Sequence, residues 1–235
     1  AFPAHPIQTF SPGADSGTFD YFNEVIYEEA DPSPILSGGA EIVGEDDNIT
    51  VRGVSEDGCT EADLSTTCAI GYFGYAYFAE NSDVLAAVAV DAGDGPVAPG
   101  DDSVNEGTYP IARPLFMYTD AGVIQEKPQV AEFIAYYLNN VNDLIGDVGY
   151  FPAPPADLAN AAVTIAAAAG FAMGTAEAGA TTTEAPTETT EAPTGEGLYG
   201  LPLVDPLDVA AGDIGIAGSS TVFPLSVAII NRWID

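Results

Sequence analysis

Apolar positions change their spacing from segment to segment along the chain, and each spacing predicts an element. After Asp15-Ser16, the residues Phe19, Phe22, Val25 and Ile26 share one helical face, which predicts a helix over 17–26. Short apolar runs predict strands at Ala69-Ile70-Gly71-Tyr72, at 84–90 and at 114–119. Behind Pro128, the residues Val130, Phe133, Ile134, Tyr137, Leu138, Val141 and Ile145 keep helical spacing and predict a helix over 128–145. Residues 157–173 are Ala-rich and nearly uncharged. They sit at the short limit for a membrane span and alanine is weakly apolar, so a surface helix is expected there. In the tail, a strand at 213–217 precedes Gly218-Ser219-Ser220-Thr221 and an apolar helix over 223–234. Helices interleaved with short strands define an α/β chain.

One stretch has nothing to bury. Residues 175–197 are almost all Thr, Glu, Ala, Pro and Gly, and Thr-Glu-Ala-Pro at 183–186 recurs at 190–193. An extended, self-repelling linker open to O-glycosylation is expected. It divides a body from a short tail.

Charge narrows the partners. The 235 residues carry 36 acidic and 4 basic side chains, a formal charge of −32. No basic patch exists to displace counterions from nucleic-acid phosphates, and no Lys/Arg cluster to dock on an anionic bilayer. Hydrophobic residues are 47% of the chain, enough for a core. Abundant Asp and Glu suit either a protein kept soluble in high salt or an acidic secreted one. Cys59 and Cys68, if paired, close a loop whose constraint is worth about 2–3 kcal/mol and indicate an oxidising compartment. Two thiols and His5 do not fill a zinc shell, and no cofactor is expected. Asn48-Ile49-Thr50 is an N-glycosylation sequon. The opening Ala1-Phe2-Pro3-Ala4-His5-Pro6 lacks the features of a signal peptide and is expected to be a processed or truncated start.

Two segments repeat one chemical idea: small hydroxyl residues and glycine just before a helix. They are Asp15-Ser16-Gly17-Thr18 and Gly218-Ser219-Ser220-Thr221. A helix start offers unpaired N–H groups and a positive dipole end, and hydroxyls add donors, so an oxyanion could be cradled without Lys or Arg. Ordinary N-capping explains the same residues. Other groups read as structure. Arg113 is expected in a hinge ion pair. Tyr72, Phe73, Tyr75, Tyr77 and Phe78 are expected in sheet and core packing. Glu28-Glu29, Glu45-Asp46-Asp47 and Asp101-Asp102 are expected as solvated faces rather than calcium loops. His5 has no serine partner at a recognisable spacing, so a hydrolytic triad is not supported.

Five ordered motifs carry a family resemblance. Residues 11–22, Ser-Pro-Gly-Ala-Asp-Ser-Gly-Thr-Phe-Asp-Tyr-Phe, resemble the phosphate loop of the periplasmic phosphate-binding proteins that serve ABC phosphate importers. Residues 69–77, 109–116 and 149–154 resemble a strand of the same lobe, the return into the other lobe and the closing motif. In the tail, 216–225 resembles the family's first strand and phosphate-contacting helix start. The resemblance implies a two-lobe α/β fold, incomplete within this chain, that closes on dehydrated phosphate by a hinge. It implies phosphate contacts from Ser16, Gly17 and Thr18 and, from the other lobe, Ser220, Thr221 and the backbone of Val222.

Three departures accompany it. Pro12 stands near the position where some family members carry an arginine, the motif order is inverted, and the stretch bearing the family's proton-accepting carboxylate has no counterpart. The expected organisation is 1–107 as part of a second lobe, 108–170 as the return with C-terminal helices, 171–203 as linker, and 204–235 as the start of a first lobe. A window on a tandem array, or else a circular permutant with deletions, accounts for the inversion. The last part belongs to the next repeat or completes this one, in which case strand 213–217 enters the incomplete sheet. The implied role is an extracytoplasmic receptor, non-enzymatic, passing inorganic phosphate to a membrane ABC permease. The alternative is a surface or filament subunit that reuses the fold and self-assembles by strand or lobe complementation. A phosphatase using Ser16 or Ser220 lacks a base nearby in sequence.

Overall fold

The computed structural model describes residues 7–27, 35, 37–56, 68–171 and 197–234. The chain divides into two compact units. The first contains 1–113, 147–151 and 217–227, and the second 114–146, 152–216 and 228–235.

In the first unit, β1 (Ile7–Ser11) is the middle strand of a parallel sheet, with β2 (Glu41–Ile42) on one side and β3 (Cys68–Gly71) on the other. Phe10 pairs with Glu41 and with Gly71, which fixes both registers. The β1–β2 crossover contains α1 (Gly17–Tyr27), and the β2–β3 crossover contains α2 (Asp47–Glu56). Phe19 and Val51 are buried with Phe10, so the apolar faces of both helices supply core. The connection from β1 leaves toward β2 and away from β3. This strand order opens a crevice at the carboxyl ends of β1 and β3, the place where open parallel sheets take ligands. β3 leads through Tyr72-Phe73-Gly74 into α3 (Tyr75–Glu80), and a short antiparallel pair, β4 (Val90–Asp91) with β5 (Pro96–Val97), precedes α4 (Asp101–Asn105).

The second unit is helical. It holds α5 (Ala121–Glu126), α6 (Pro128–Leu144) and α7 (Pro155–Ala169), and a 3-10 turn at Leu198–Gly200. Ile124, Ala131, Ile134, Ala162, Ile165, Ala166 and Leu201 form its core. The small alanines of α7 let helix backbones approach closely. From Ala228 onward, α8 (Phe223–Ile234) belongs to this unit, where Trp233 meets Phe133 and Tyr136 edge-on at centroid distances of 5.2 and 4.9 Å. Asp120 caps α5, its Oδ1 accepting from Gly122 N at 2.8 Å. Asp120→Ala is expected to lower stability by about 1 kcal/mol, read as a fall in thermal midpoint.

The helices expected at 17–26, 128–145 and 223–234 are present. The Ala-rich helix is present too, ending at Gly170, whose φ of 70° suits glycine. Among the described residues no helix is long and apolar enough to cross a membrane.

Three strand expectations are corrected. Residues 84–89 form no strand; Val84 and Val88 are each 60% exposed, and only Val90 at the end of the run enters a ladder. Residues 114–119 have no regular structure, with Phe116 63% and Tyr118 86% exposed. Residues 213–217 are also irregular and do not join the β2-β1-β3 sheet. An apolar run becomes a strand only where a neighbouring strand takes its N–H and C=O groups, and among the described residues no strand pairs with these. The linker over 175–196, His5 and Cys59 lie outside the described residues. Cys68 opens β3 and is not a free thiol.

Candidate anion site at the carboxyl edge of the sheet

The loop after β1 begins at Ser11, whose Oγ donates to the Pro12 carbonyl at 3.0 Å and shares a 2.6 Å hydrogen bond with the Tyr72 hydroxyl. Gly13 then bonds the Gly44 carbonyl at 2.7 Å, which ties this loop to the one after β2. Ser16 is buried and caps α1: its Oγ accepts from Thr18 N at 3.2 Å and its carbonyl from Asp20 N at 3.1 Å. The capping reading is therefore realised at Ser16. Capping and anion binding are compatible, because a Ser hydroxyl has both a donor and acceptor capacity.

The tail arrives at the same loop. Thr18 Oγ1 and Thr221 Oγ1 lie 2.7 Å apart, joining two segments separated by 203 residues. The Tyr77 hydroxyl donates to the Ser220 carbonyl at 3.0 Å, and the Tyr150 hydroxyl donates to the Thr221 carbonyl. On the other loop, Arg113 Nη2 donates to the Gly17 carbonyl at 3.0 Å. Carbonyl oxygens are the groups that would repel an anion. Three of them, at 17, 220 and 221, are engaged by side-chain donors, which leaves hydroxyls and amide hydrogens as the remaining chemistry. Ser220 Oγ is buried without a hydrogen-bond partner. The Val222 N–H is used in a turn to the Ser219 carbonyl at 3.0 Å.

Tyr77 and Tyr150 are held protonated. Burial first, then nearby carboxylates including Asp47, push Tyr77 up to about 12. Burial, Tyr77 and Asp47 push Tyr150 up as well. Both phenols are thus donors throughout the ordinary pH range.

Gly74 is a close-packed point of the site. A Cβ there would lie 3.1 Å from Thr221 Cγ2, 3.1 Å from the Tyr150 hydroxyl and 3.4 Å from Asp47 Oδ2. Without a side chain, Gly74 lets α2, α3 and the tail meet, and its N–H donates to Asp47 Oδ2 at 3.2 Å. Asp47 is 1% exposed, with Oδ1 unpartnered, so its reading as a solvated face is corrected. Burial raises its carboxyl to about 6, opposed by the Gly74 N–H and reinforced by Asp46.

The sequence reading missed Asp47, Gly74 and Tyr150 as neighbours of the site. Arg113 forms no ion pair with a described carboxylate; it binds a carbonyl and covers the Tyr21 ring at 5.1 Å. Asn48 is exposed and bonds Asp46 Oδ1 at 3.1 Å, while the Thr50 of its sequon is buried. In the second unit, a cavity of about 270 Å³ lined by Phe133, Ile214, Ile216, Ile230 and Trp233, together with Gly212 and Asp213, holds none of these hydroxyl groups. No group of described residues has the make-up of a metal site.

A crevice at the end of a parallel sheet and two hydroxyl loops converging beside it make up the candidate site. The sequence matches the PBP superfamily domain over residues 1–141, and the chain belongs to that superfamily. Its tail lies beyond the matched region. Over 154 residues the chain is 41% identical to Protein SphX of Synechocystis sp., covering 65% of this chain and 42% of that protein. It is 39% identical over 156 residues to Protein SphX of Synechococcus elongatus, covering 66% and 42%. Phosphate-binding protein PstS of Staphylococcus haemolyticus is 28% identical over 155 residues, covering 66% and 44%. The chain spans less than half the length of these curated relatives. No solved structure matches it.

Proposed function

We propose that the chain is part of an extracytoplasmic receptor that binds inorganic phosphate without transforming it and delivers it to a membrane ABC permease. The observation that carries this reading is the 2.7 Å approach of Thr18 and Thr221, which unites the two hydroxyl loops in the first unit. Ser16, Gly17 and Thr18 contribute from one loop; Ser220 and Thr221 contribute from the other, where the Val222 N–H is held in its turn to the Ser219 carbonyl. Their hydroxyls and amide hydrogens form charge-assisted bonds to phosphate oxygens. The relatives named phosphate-binding support the choice of anion. A Cys59–Cys68 disulfide and a glycan at Asn48 would fit the same oxidising location.

Calorimetric titration of the chain with phosphate, and separately with sulfate, tests the reading. Saturable phosphate binding with weaker sulfate binding is expected. Folded protein that gives no heat with millimolar phosphate overturns it. A second reading, an architectural subunit completed by neighbouring copies, is favoured by one observation: residues 112–120 run without a strand partner and expose Phe116 and Tyr118. Sedimentation separates the two, since a monomer at working concentration removes the self-assembling subunit.

A further inference from the structure

Arg113 is one of 4 basic residues in a chain of formal charge −32. Its guanidinium reaches across 96 residues of sequence to the Gly17 carbonyl, with Nη2 at 3.0 Å. The Tyr21 ring lies beneath it, with Cζ 5.1 Å from the centroid. The Tyr21 hydroxyl donates to the Ala112 carbonyl at 2.8 Å, which pins the backbone just before Arg113. This is a held guanidinium, not a free surface cation: one face rests on an aromatic ring and one edge on a carbonyl. A Cβ at Gly17 would lie 3.0 Å from Nη2, close enough that the guanidinium would have to shift by a few tenths of an ångström.

The carbonyl of Gly17 and the N–H of Thr18 belong to one planar trans peptide and point in opposite directions. Holding the oxygen therefore aims the N–H to the far side, where it meets Ser16 Oγ at 3.2 Å. A cation on the carbonyl also polarises that peptide and strengthens its N–H as a donor. We propose that Arg113 is the positioning residue of the anion site, locking and polarising the Gly17–Thr18 peptide and supplying the positive charge the Ser16-Gly17-Thr18 loop itself lacks. This rests on the phosphate-binding reading. Tyr77 and Tyr150 hold carbonyls 220 and 221 in the same manner but bring no charge.

The experiment is calorimetric titration of the native chain, Arg113→Gln and Arg113→Lys with inorganic phosphate at low and high ionic strength, with thermal melting of each. Native protein is expected to bind, and Arg113→Gln to bind about 10-fold more weakly with a flatter salt dependence. Arg113→Lys keeps the charge but not the planar stacking on Tyr21, and is expected to recover the native salt slope and part of the affinity, a rescue that a purely structural contact would not tie to salt. Equal affinity and equal salt slope in Arg113→Gln overturn the inference and leave the receptor reading standing. Failure of folded native protein to bind phosphate overturns both.

Discussion

Thr221→Val is expected to weaken phosphate binding by about 10- to 100-fold, the range for removing a hydrogen bond to a charged partner. Valine keeps the branched shape of a buried residue and removes only the hydroxyl that meets Thr18 Oγ1 at 2.7 Å. Packing against Gly74 is retained, since the contact there is made by Cγ2. Thr18→Val removes the other half of the pair. If the two hydroxyls address one anion, the double variant falls short of the product of the single losses, because each single change already disorganises the partner. Calorimetric dissociation constants for the four proteins form the cycle. Native affinity in Thr221→Val would place the bound anion elsewhere and remove the convergent-loop site.

The parts of the fold visible in sequence are those decided locally. The stripe Phe19, Phe22, Val25, Ile26 marks α1 because a helix satisfies its own backbone and needs only one apolar face. The same holds for α6 and α8. Strands are decided by neighbours. Ala69-Ile70-Gly71 finds β1, whereas the more apolar Val84–Val90 run finds no ladder partner before Val90. Composition alone does not separate these cases. The site divides in the same way. Ser16-Gly17-Thr18 and Ser220-Thr221 stand out as candidates because helix-start chemistry is written in consecutive residues. Asp47 was misread because its acidic neighbours suggest solvent, while its burial depends on Gly74, 27 positions onward. Arg113 was misassigned for the same reason, since its acceptor is a main-chain carbonyl that no side-chain pattern announces. Carbonyls 17, 220 and 221 are all bound by residues distant in sequence, so the device is visible only once the chain is folded.

Asp47→Asn is expected to stabilise the protein above pH 6 and to remove a pH dependence between about 4 and 6. Burial pushes the folded carboxyl up to about 6 from its ordinary value of 3.8. Within that window the folded state holds a proton that the unfolded state has released. Stability from this group is therefore complete below about 4, is lost as pH rises through about 6, and stays level beyond. The two-unit difference sets a ceiling of about 3 kcal/mol. Asparagine keeps an oxygen for the Gly74 N–H and carries no charge into a place where Oδ1 has no partner. The other carboxylates of this acidic chain also titrate at low pH and relieve general repulsion, so the native profile alone does not isolate Asp47. The difference between native and variant does. Urea denaturation of both at pH 4, 5, 6 and 7.5 should show a gap that opens between 4 and 6 and then holds constant. Parallel profiles would mean that the buried carboxyl titrates as it does in the unfolded chain, and the account of Asp47 as a desolvated acid beside the site would fall.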